Sequence, residues 1–377
     1  MSSAPDIYLG LMSGTSVDAI DAVAINFSAT SMPHEQRVIG HQVLSIPERI
    51  KSRVIALSSM AEDSLSENLE LDYILGHLFA DCAEKLIEQA NLKRSDIIAI
   101  GSHGQTIRHK PPISNSEQPN LSYSQQIADP NILAERTGVK VVADFRRRDI
   151  AAGGQAAPLV PTFHAHWFGE FEQRKVAVNL GGFANISVLE SDRCTGGFDS
   201  GPANVLMDYW CQKNTGSPID TNGDWAATGK ADPKLLDKLL SAPYFELAAP
   251  KSTGRELFNA AWLESQLSPE VSSADVQATL LELTAKSLCD AIKSAAPVCG
   301  EIILCGGGVY NKALVARITE LAQAEVKDCR IYGLKPDQVE AAAFAWLAKK
   351  RLENEPGNSP AVTGAKGYRI LGAVYSD

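Results

Sequence analysis

Apolar runs of strand length alternate with longer amphipathic stretches along the whole chain. In the first half, short apolar runs bounded by Gly, Ser, Asn or Pro are typical of strands, whereas the apolar residues from Ser66 to about Asn91 recur near helical spacing. The predicted strands of this half are 7–12, 19–27, 37–46, 96–102 and 139–145, and its further predicted helices are 130–137 and 162–171.

The same order of elements recurs in the second half. Its predicted strands are 175–180, 184–189, 196–198, 301–305 and 329–332, and its predicted helices are one with Pro202 in its first turn, 275–296, 312–323 and 339–352. Strands separated by helices favour largely parallel sheets covered on both faces, with ligands at the carboxyl ends of the strands. The sequence therefore predicts an α/β protein with two duplicated βββαβαβα domains, 1–173 and 174–377, that face an interdomain cleft.

The loop between the first two strands has the residue types of an anion-binding turn. Gly14 lets a ligand approach the backbone, and the hydroxyls of Ser13, Thr15 and Ser16 join backbone N–H groups in a nest for anionic oxygens. Asp18 and Asp21 would repel a phosphate unless a cation lay between, which implies Mg²⁺. An ordinary surface hairpin would use the same turn residues. The sequence has neither a P-loop motif nor a Gly-x-Gly-x-x-Gly helix start.

Most of the polar, glycine-rich segments fall at predicted strand ends. These segments are 10–21, 102–106, 145–155, 181–185, 199–204 and 306–311. Because ligands of α/β proteins bind at the carboxyl ends of strands, this coincidence favours a binding role for the first loop over an ordinary surface hairpin.

Composition narrows the class of protein. The chain has 377 residues, 45% of them hydrophobic, which is enough for two domains with cores of their own. Its net charge of −10 argues against a nucleic-acid partner. Seven scattered cysteines without a Cys-x-x-Cys pair favour reduced thiols in a cytoplasmic protein. No signal peptide and no uncharged run suited to a membrane span are present, so no membrane partner is expected.

Six segments, taken in order, carry a resemblance that spans nearly the whole chain. They are 10–21 (GLMSGTSVDAID), 102–109 (SHGQTIRH), 143–155 (ADFRRRDIAAGGQ), 179–186 (NLGGFANI), 197–204 (GFDSGPAN) and 305–308 (CGGG) with Asn311. Together they resemble the signature of the anhydro-N-acetylmuramic acid kinase family, within the actin/hexokinase/heat-shock-chaperone ATPase superfold. Ala19, Ala156 and Ala203 stand where that family often has glycine.

The resemblance implies a reaction on a muramic acid sugar closed by an internal 1,6-anhydro bond, with or without an attached peptide. Water attacks C1, the ring bond opens, and the freed O6 takes the γ-phosphoryl group of ATP. The product is N-acetylmuramic acid 6-phosphate, formed in peptidoglycan recycling. The resemblance also implies Mg²⁺ and a homodimer.

By the same resemblance, Asp199 is the general base that takes a proton from the attacking water. Such help is typically worth about 10²–10⁴-fold in rate. The arrangement is like an inverting glycosidase whose leaving oxygen is captured by a phosphoryl group. From the residues alone, Asp199 could equally be the N-cap of the helix that follows.

The glycine-rich turns are expected to bind ATP. The nucleotide-binding residues that the resemblance implies are Gly14, Thr15, Ser16, Val17, Asp18, Ala19, Ile20, Asp21, Gly181, Gly182, Gly306, Gly307, Gly308 and Asn311. Asp18 is expected to act on Mg²⁺ through water, whereas Asp21 either does the same or only braces the hairpin. Phosphoryl transfer asks chiefly for positioning and charge neutralisation. A tight strand-to-helix turn would also explain the triple glycine.

The sugar carries a lactyl carboxylate, which an arginine suits. Arg146, Arg147 and Arg148 are candidates, and since side chains of an extended segment alternate faces, not all can point inward. Surface ion pairing with Asp149 is the ordinary alternative. The expected sugar-binding residues are His103, Gln105, Thr106, Arg146, Arg148, Asp149 and Glu340. His103 is given a binding role only, and Glu340 could instead favour a helix N-terminus.

Fold alone does not choose among several functions. Another sugar kinase of the superfold could use Asp199 on a substrate hydroxyl. An ATP-dependent clamp or chaperone usually carries a further peptide-binding domain, and the two halves use up this chain. A sugar-binding regulator would need a DNA-binding extension or a basic patch. The six segments together favour the ring-opening kinase.

Overall fold

The chain forms two compact units. The computed structural model describes residues 6–28, 37–59, 64–112, 121–169, 173–249 and 251–376. Unit 1 consists of Met1–Phe163, Tyr332–Leu334 and Gln338–Asp377, and unit 2 consists of His164–Ile331 and Lys335–Asp337. Unit 1 is therefore assembled from both ends of the chain, whereas the sequence analysis placed one boundary between residues 173 and 174.

Strands and helices alternate in both units. The strands are β1 (Ile7–Ser13), β2 (Ala19–Asn26), β3 (Val38–Ser45), β4 (Ile97–Lys110), β5 (Tyr123–Ile127), β6 (Val141–Ala143), β7 (Lys175–Leu180), β8 (Phe183–Glu190), β9 (Arg193–Pro202), β10 (Glu301–Cys305), β11 (Glu325–Asp328) and β12 (Ala373–Tyr375). The α-helices are α1 (Glu48–Ser58), α2 (Leu65–Gln89), α3 (Pro130–Thr137), α4 (Arg147–Ala151), α5 (Pro161–Phe168), α6 (Asn204–Thr215), α7 (Pro233–Leu240), α8 (Ala260–Gln266), α9 (Ser273–Ala295), α10 (Lys312–Leu321), α11 (Val339–Leu352) and α12 (Pro360–Thr363).

The two units have sheets with the same core topology. The strand order is β12-β6-β4-β1-β2-β3 in unit 1, with β5 paired to β4, and β11-β10-β7-β8-β9 in unit 2. In each sheet, three consecutive strands form an antiparallel meander. Two further strands add in parallel on the other side of the first, β4 and β6 in unit 1 and β10 and β11 in unit 2. This repeat confirms the predicted α/β class and the duplicated order of strands.

Two glycines seat α11 on the sheet of unit 1. Gly10 in β1 and Gly101 in β4 are register partners. A Cβ on Gly10 would lie 1.8 Å from the carbonyl oxygen of Ala341, and one on Gly101 would lie 2.0 Å from that of Phe344. Only glycine permits so close an approach of helix and strand. The contact fixes α11, whose first turn carries Glu340.

The other face of this sheet holds the hydrophobic core of unit 1. Leu9 and Leu11 alternate with Gly10 along β1, so their side chains point away from α11. They belong to one buried cluster with Leu75 and Phe79 of α2. A separate buried cluster of residues from β7–β10 and α9 forms the core of unit 2. Helices therefore cover both faces of the sheet of unit 1, as its mainly apolar strands predict.

Three local predictions were wrong. Pro202 ends β9 and α6 begins at Asn204, because the β9 ladder continues to a pair between Pro202 and Phe183. The run 329–332 is a 3-10 turn, and the strand beside β10 is the preceding β11, whose polar edge sequence has no apolar run. Arg147 already lies in α4, so the alternation of an extended segment does not apply to the three arginines.

In the described part of the chain, no helix is both long and apolar enough to cross a membrane.

Candidate active site

A returning loop holds Asp199 in unit 2. The backbone N–H of Asp199 donates to the carbonyl of Lys251 at 3.1 Å, and the backbone N–H of Thr253 donates to Oδ2 of Asp199 at 3.0 Å. The Tyr244 hydroxyl donates to the Asp199 carbonyl. Asp199 is not the N-cap of α6, because that position is Ala203 and has no side-chain hydrogen bond. The loop therefore fixes both the backbone and the carboxylate of Asp199.

The surroundings of Asp199 suit a base. Burial raises its pKa to about 6, against the lowering effect of the Thr253 N–H and with a further rise from the charge of Glu256. A carboxylate with such a pKa is ionised at neutral pH and accepts a proton more readily than an ordinary Asp. In the described residues, Oγ1 of Thr253 is buried without a hydrogen-bond partner. Lys251 braces the loop, with its Nζ 4.7 Å from the centre of the Tyr244 ring.

The loop after β1 is a tight turn in unit 1. The N–H of Val17 donates to the carbonyl of Gly14 at 3.1 Å, and Val17 is buried with a φ of 56°. This conformation is an outlier for a β-branched residue, and such strain clusters at functional sites. Thr15 and Ser16 are exposed at the tip. A Cβ added to Gly14 would meet no protein atom within 4 Å, so packing does not require this glycine.

The two carboxylates after this turn have different surroundings. Asp18 is exposed, accepts a hydrogen bond from Ser16 and forms an ion pair with Lys51 of α1. Although partial burial acts to raise it, the bonds from Lys51 and Ser16 hold the pKa of Asp18 below its usual value. Asp21 lies in β2 with Oδ1 3.6 Å from Nε2 of His41. Asp18 therefore lies on the exposed side of the loop, and Asp21 contacts His41 of β3.

A hard cation fits the chemistry of this loop. Mg²⁺ prefers oxygen ligands, keeps several waters, and commonly binds one or two carboxylates together with substrate phosphates. Asp18 offers an exposed carboxylate beside the exposed hydroxyls of Thr15 and Ser16. Among the described residues, no group of three or more His, Cys, Asp or Glu could hold a metal ion. The loop can thus supply one carboxylate and leave the other ligand positions to water and phosphate.

The β7–β8 turn of unit 2 is tied to the start of α6. The carbonyl of Gly181 accepts the N–H of Asn204, and the carbonyl of Gly182 accepts those of Ala203 and Val205. Nδ2 of Asn204 also donates to the Gly181 carbonyl at 2.8 Å. Because these carbonyls are engaged, an anion would meet the N–H side of the turn.

Of the three glycines after β10, two are required by the backbone conformation or by packing, and the third has open space around it. Gly306 adopts a φ of 80°, which favours glycine, and a Cβ on Gly308 would lie 2.7 Å from a side chain of β7. Gly307 is exposed, and a Cβ there would meet no protein atom within 4 Å. Asn311 caps α10 by accepting the N–H of Leu314 at 3.0 Å. A tight turn and an open surface therefore coexist in this segment.

A cluster of ionisable side chains in unit 1 consists of Arg146, His103 and Glu340. Nε of Arg146 donates to Nε2 of His103 at 2.9 Å, and Nδ1 of His103 lies 2.8 Å from a backbone carbonyl. This network assigns the imidazole proton to Nδ1. Burial and the charge of Arg146 hold the pKa of His103 well below its usual value, so the ring is neutral. Burial raises the pKa of Glu340, although the charge of Arg146 opposes the rise.

A buried network fixes the guanidinium of Arg146. Nη1 of Arg146 donates to the carbonyl of Ala156, and the N–H of Ala156 donates to Oδ2 of Asp149 at 2.8 Å. Oδ1 of Asp149 accepts hydrogen bonds from Asn358 and Thr363. Asp149 thus anchors the turn that holds Arg146. Within the described residues, Nη2 of Arg146 makes no hydrogen bond, and it remains the end that can meet a carboxylate.

The other expected sugar residues have separate contacts. Oε1 of Gln105 accepts a hydrogen bond from the hydroxyl of Ser13 at 2.7 Å. This bond ties β4 to the end of β1, just before the turn of residues 14–17. Oγ1 of Thr106 accepts Nε2 of Gln126 at 3.1 Å. Arg148 is exposed on α4. Of the three arginines, only Arg146 joins the cluster with His103.

Sequence reasoning missed three residues that position the candidate groups. Lys51 lies 33 residues from Asp18, and Tyr244 and Thr253 lie 45 and 54 residues from Asp199. None stands at a glycine-rich strand end. Their contacts arise only when the chain folds back, so the local sequence has no signal for them.

Comparison with known proteins adds an independent line of evidence. The family model described as anhydro-N-acetylmuramic acid kinase matches residues 6–377. Proteins of that name from Pseudomonas syringae pv. tomato and Xanthomonas campestris pv. campestris are each 46% identical to this chain, covering 98% of it and 98% and 97% of their own lengths. The one from Saccharophagus degradans is 44% identical, with 99% of both chains covered.

Solved structures give more distant likenesses. Component A of the (R)-2-hydroxyglutaryl-CoA dehydratase of Acidaminococcus fermentans matches with a TM-score of 0.48 and 11% identity, over 90% of this chain and 98% of that one. A ROK family glucokinase from Streptomyces griseus, in complex with glucose and AMPPNP, matches with a TM-score of 0.40 and 14% identity, over 90% and 99% of the chains.

Proposed function

Because the chain belongs to the anhydro-N-acetylmuramic acid kinase family, we propose that it is an ATP-dependent kinase of 1,6-anhydro-N-acetylmuramic acid. The proposed reaction opens the anhydro ring with water and phosphorylates O6, giving N-acetylmuramic acid 6-phosphate for peptidoglycan recycling. The observation that carries this proposal is the Asp199 carboxylate, which is oriented by a backbone N–H and poised by burial to accept a proton near neutral pH.

Asp199 supplies the base for the hydrolytic half of the reaction. Thr253 holds Oδ2 of Asp199, which leaves Oδ1 to take the proton of a water. The water oxygen bonds to C1 as the bond between C1 and O6 breaks. The freed O6 bonds to the γ-phosphorus, and ADP leaves. No strong acid is needed, since the leaving oxygen is captured by the phosphoryl group.

The phosphates are assigned to the turn after β1 and to the β7–β8 turn. Backbone N–H groups and the Thr15 and Ser16 hydroxyls suit their oxygens, and the open side of Gly14 admits them. Bound Mg²⁺ would neutralise phosphate charge during transfer, and Asp18 would hold it through water. The exposed Gly307 offers a flat surface for adenosine.

Arg146 is the proposed partner of the sugar's lactyl carboxylate. Its Nε and Nη1 are already fixed by His103 and Ala156, so the guanidinium plane is set before a ligand arrives. A preorganised donor costs less ordering entropy on binding. Glu340 lies in the same cluster and is proposed to accept a sugar hydroxyl or amide, and His103, Gln105 and Thr106 complete the proposed pocket.

Mass spectrometry of the sugar tests the reaction. After incubation with Mg-ATP, 1,6-anhydro-N-acetylmuramic acid should gain one phosphoryl group and one water, and Asp199→Asn should lose both gains together. A gain of a phosphoryl group alone would indicate a sugar kinase without ring hydrolysis. Unchanged sugar with stable ATP would overturn the proposal.

A homodimer in the cytoplasm is the proposed state of the protein. Closed homodimers are the commonest oligomers of soluble enzymes, and the odd number of cysteines, all free in the structure, suits a reducing compartment. Light scattering after size exclusion tests the dimer, since a mass near the chain's 40.5 kDa would contradict it.

A further inference from the structure

A polar cavity lies in unit 1 on the side of β4 that carries Ser102. Its volume is about 300 Å³, and its lining includes His103 of the Arg146 cluster together with Ser102, Asp72, Asp129, Asp144 and Arg147. Gly101 faces α11, and His103 stacks on Phe344 of that helix with ring centres 4.6 Å apart. Since side chains alternate along a strand, Ser102 points to the opposite face of β4, toward α2 and α3. Ser102 therefore points away from Arg146, and His103 is the residue of the Arg146 cluster that also lines the cavity.

Ser102 gives this cavity an unsatisfied polar group. Its side chain is 1% exposed, and Oγ has no hydrogen-bond partner in the described part of the chain. A buried hydroxyl left without a partner costs about 1–3 kcal/mol. Because native proteins satisfy nearly all such groups, the hydroxyl indicates a polar occupant of the cavity.

The charge of the lining favours a cationic occupant. Three carboxylates face the cavity and only one guanidinium opposes them. Burial raises the pKa of Asp72, and so does the charge of Asp129, although a bond from the Ala128 N–H acts against both. Burial raises the pKa of Tyr375, and the charges of Asp144, Asp129 and Asp72 add to it against that of Arg147. These shifts show one negative field shared by the three carboxylates.

Each of the three carboxylates has one oxygen that is available to a ligand. Oδ1 of Asp72 accepts the N–H of Ala128 at 2.8 Å, Oδ1 of Asp129 accepts that of Asn131 at 2.8 Å, and Oδ1 of Asp144 accepts Nε of Arg147 at 2.7 Å. In the described residues, no Oδ2 of the three accepts a hydrogen bond. The acceptors are spread around the cavity, and they do not form a group that could hold a metal ion. A ligand with several N–H donors meets this arrangement better than a metal ion does.

We propose that the cavity beside Ser102, Asp72 and Asp129 binds a small organic cation that carries primary ammonium groups. An ammonium offers three donors and no acceptor, which matches one hydroxyl and three free carboxylate oxygens. The volume holds a molecule of several non-hydrogen atoms, since one water occupies about 30 Å³. The site is inferred from its own lining and not from the proposed kinase reaction, and it shares His103 with the proposed sugar pocket.

Calorimetric titration with 1,4-diaminobutane, without nucleotide or sugar, tests the site. The diamine should bind saturably, and the isosteric but uncharged butane-1,4-diol should not. Added salt should weaken the binding, because exposed charges are screened. Absence of saturable heat with the diamine, or equal binding of the diol, would overturn the proposal.

Asp129→Asn and Glu88→Gln provide a matched pair of variants. Asparagine is as good a helix cap as aspartate, so the first change removes charge while α3 keeps its N-cap. Glu88 is exposed on α2, outside the cavity. Asp129→Asn should weaken diamine binding at least about fivefold, in line with the loss of one charged partner, whereas Glu88→Gln should not. Equal effects of the two changes would reduce the result to non-specific charge attraction and refute the site.

Discussion

Asp199 combines two properties that oppose each other. Burial of a carboxylate disfavours its charged form, and the proposed catalysis of water attack requires that charged form. Among the described residues, the Thr253 N–H is the one hydrogen-bond donor that the Asp199 carboxylate has. Asp199 is therefore a strong base at a cost in stability.

The pH profile follows from this position. Asp199 must be ionised to act as a base, and its pKa is about 6. We expect kcat/KM to fall about tenfold per pH unit below 6 and to be level above it. Initial rates measured across the acid range check this. An acid limb near pH 4, the usual value for Asp, would show that burial does not tune this carboxylate.

Asp199→Asn should stabilise the protein while it abolishes turnover. In the folded state the pKa is raised from 3.8 to about 6, so ionisation destabilises the fold as pH rises through that window. At neutral pH the penalty is up to about 3 kcal/mol, because a pKa difference of one corresponds to about 1.4 kcal/mol. Asparagine carries no such penalty and can still accept the Thr253 N–H. Urea unfolding should show the full gain at pH 7 and only a small part of it at pH 4, because the penalty vanishes below the unfolded pKa.

Lys51 should matter for the nucleotide more than for the fold. It pairs with Asp18 at the exposed turn, and exposed ion pairs contribute at most about 1 kcal/mol. Lys51→Ala should leave the urea midpoint nearly unchanged and weaken ATP binding severalfold, because the turn becomes more negative. Calorimetric titration with and without Mg²⁺ measures this. Arg49→Ala, an exposed change on the same helix, should bind ATP normally, and a matching loss there would remove the special role of Lys51.

At the scale of single residues, the sequence indicates which chemical groups are present, but it does not indicate which of them are in contact. The residue types at Gly14, Asp18 and Asp199 predict an open turn, a cation ligand and a base, and these roles stay predictions. The contact of Arg146 with His103 could not be predicted from the sequence, since it depends on a turn held by Asp149. Such contacts join residues that are distant along the chain.

The packing of α11 is the element-scale feature that a single methyl group can test. Gly10→Ala would place a Cβ 1.8 Å from a helix carbonyl, and backbone atoms cannot move aside as a flexible side chain can. Overpacking of this kind should cost about 2–4 kcal/mol. Gly14→Ala lies four residues away with open space around it, so its urea midpoint should stay near wild type.

The affinity for ATP should distinguish the same two variants in the opposite order, with the larger change in Gly14→Ala. Gly14→Ala should raise the KM for ATP, since the added methyl occupies the side proposed for phosphates. Gly10→Ala should lose stability without a specific change in nucleotide affinity of the folded fraction. Equal stability of both variants would contradict the close seating of α11.

Apolar elements were predicted well and polar edge elements were not. The buried β10 and the amphipathic α9 lie within a few residues of their predicted bounds. The edge strand β11 carries only one apolar residue, Val326, and its pairing with β10 decides its structure. Tertiary pairing overrides local pattern at such edges.

At the scale of the whole molecule, the order of elements along the chain does not show which unit each element joins. Residues 338–377 belong to unit 1, and they supply α11 and the strand β12 that pairs with β6. Hydrophobic periodicity identifies these elements, but it does not say which sheet they join. The expectation of two consecutive domains divided at 173 followed from chain order alone.

Fragments of the chain test this assembly. A fragment of residues 1–173 lacks α11, so it would expose the glycine-lined face of β1 and β4, and we expect no cooperative unfolding transition. Residues 1–163 joined to 338–377 by a flexible Gly/Ser linker should fold, since this piece restores α11 and the contact between the rings of Phe163 and Trp346, whose centres lie 6.3 Å apart. Residues 164–337 contain the whole buried cluster of unit 2 and should also unfold cooperatively. Circular dichroism during urea titration measures all three, and a folded 1–173 fragment would show that α11 is dispensable to unit 1.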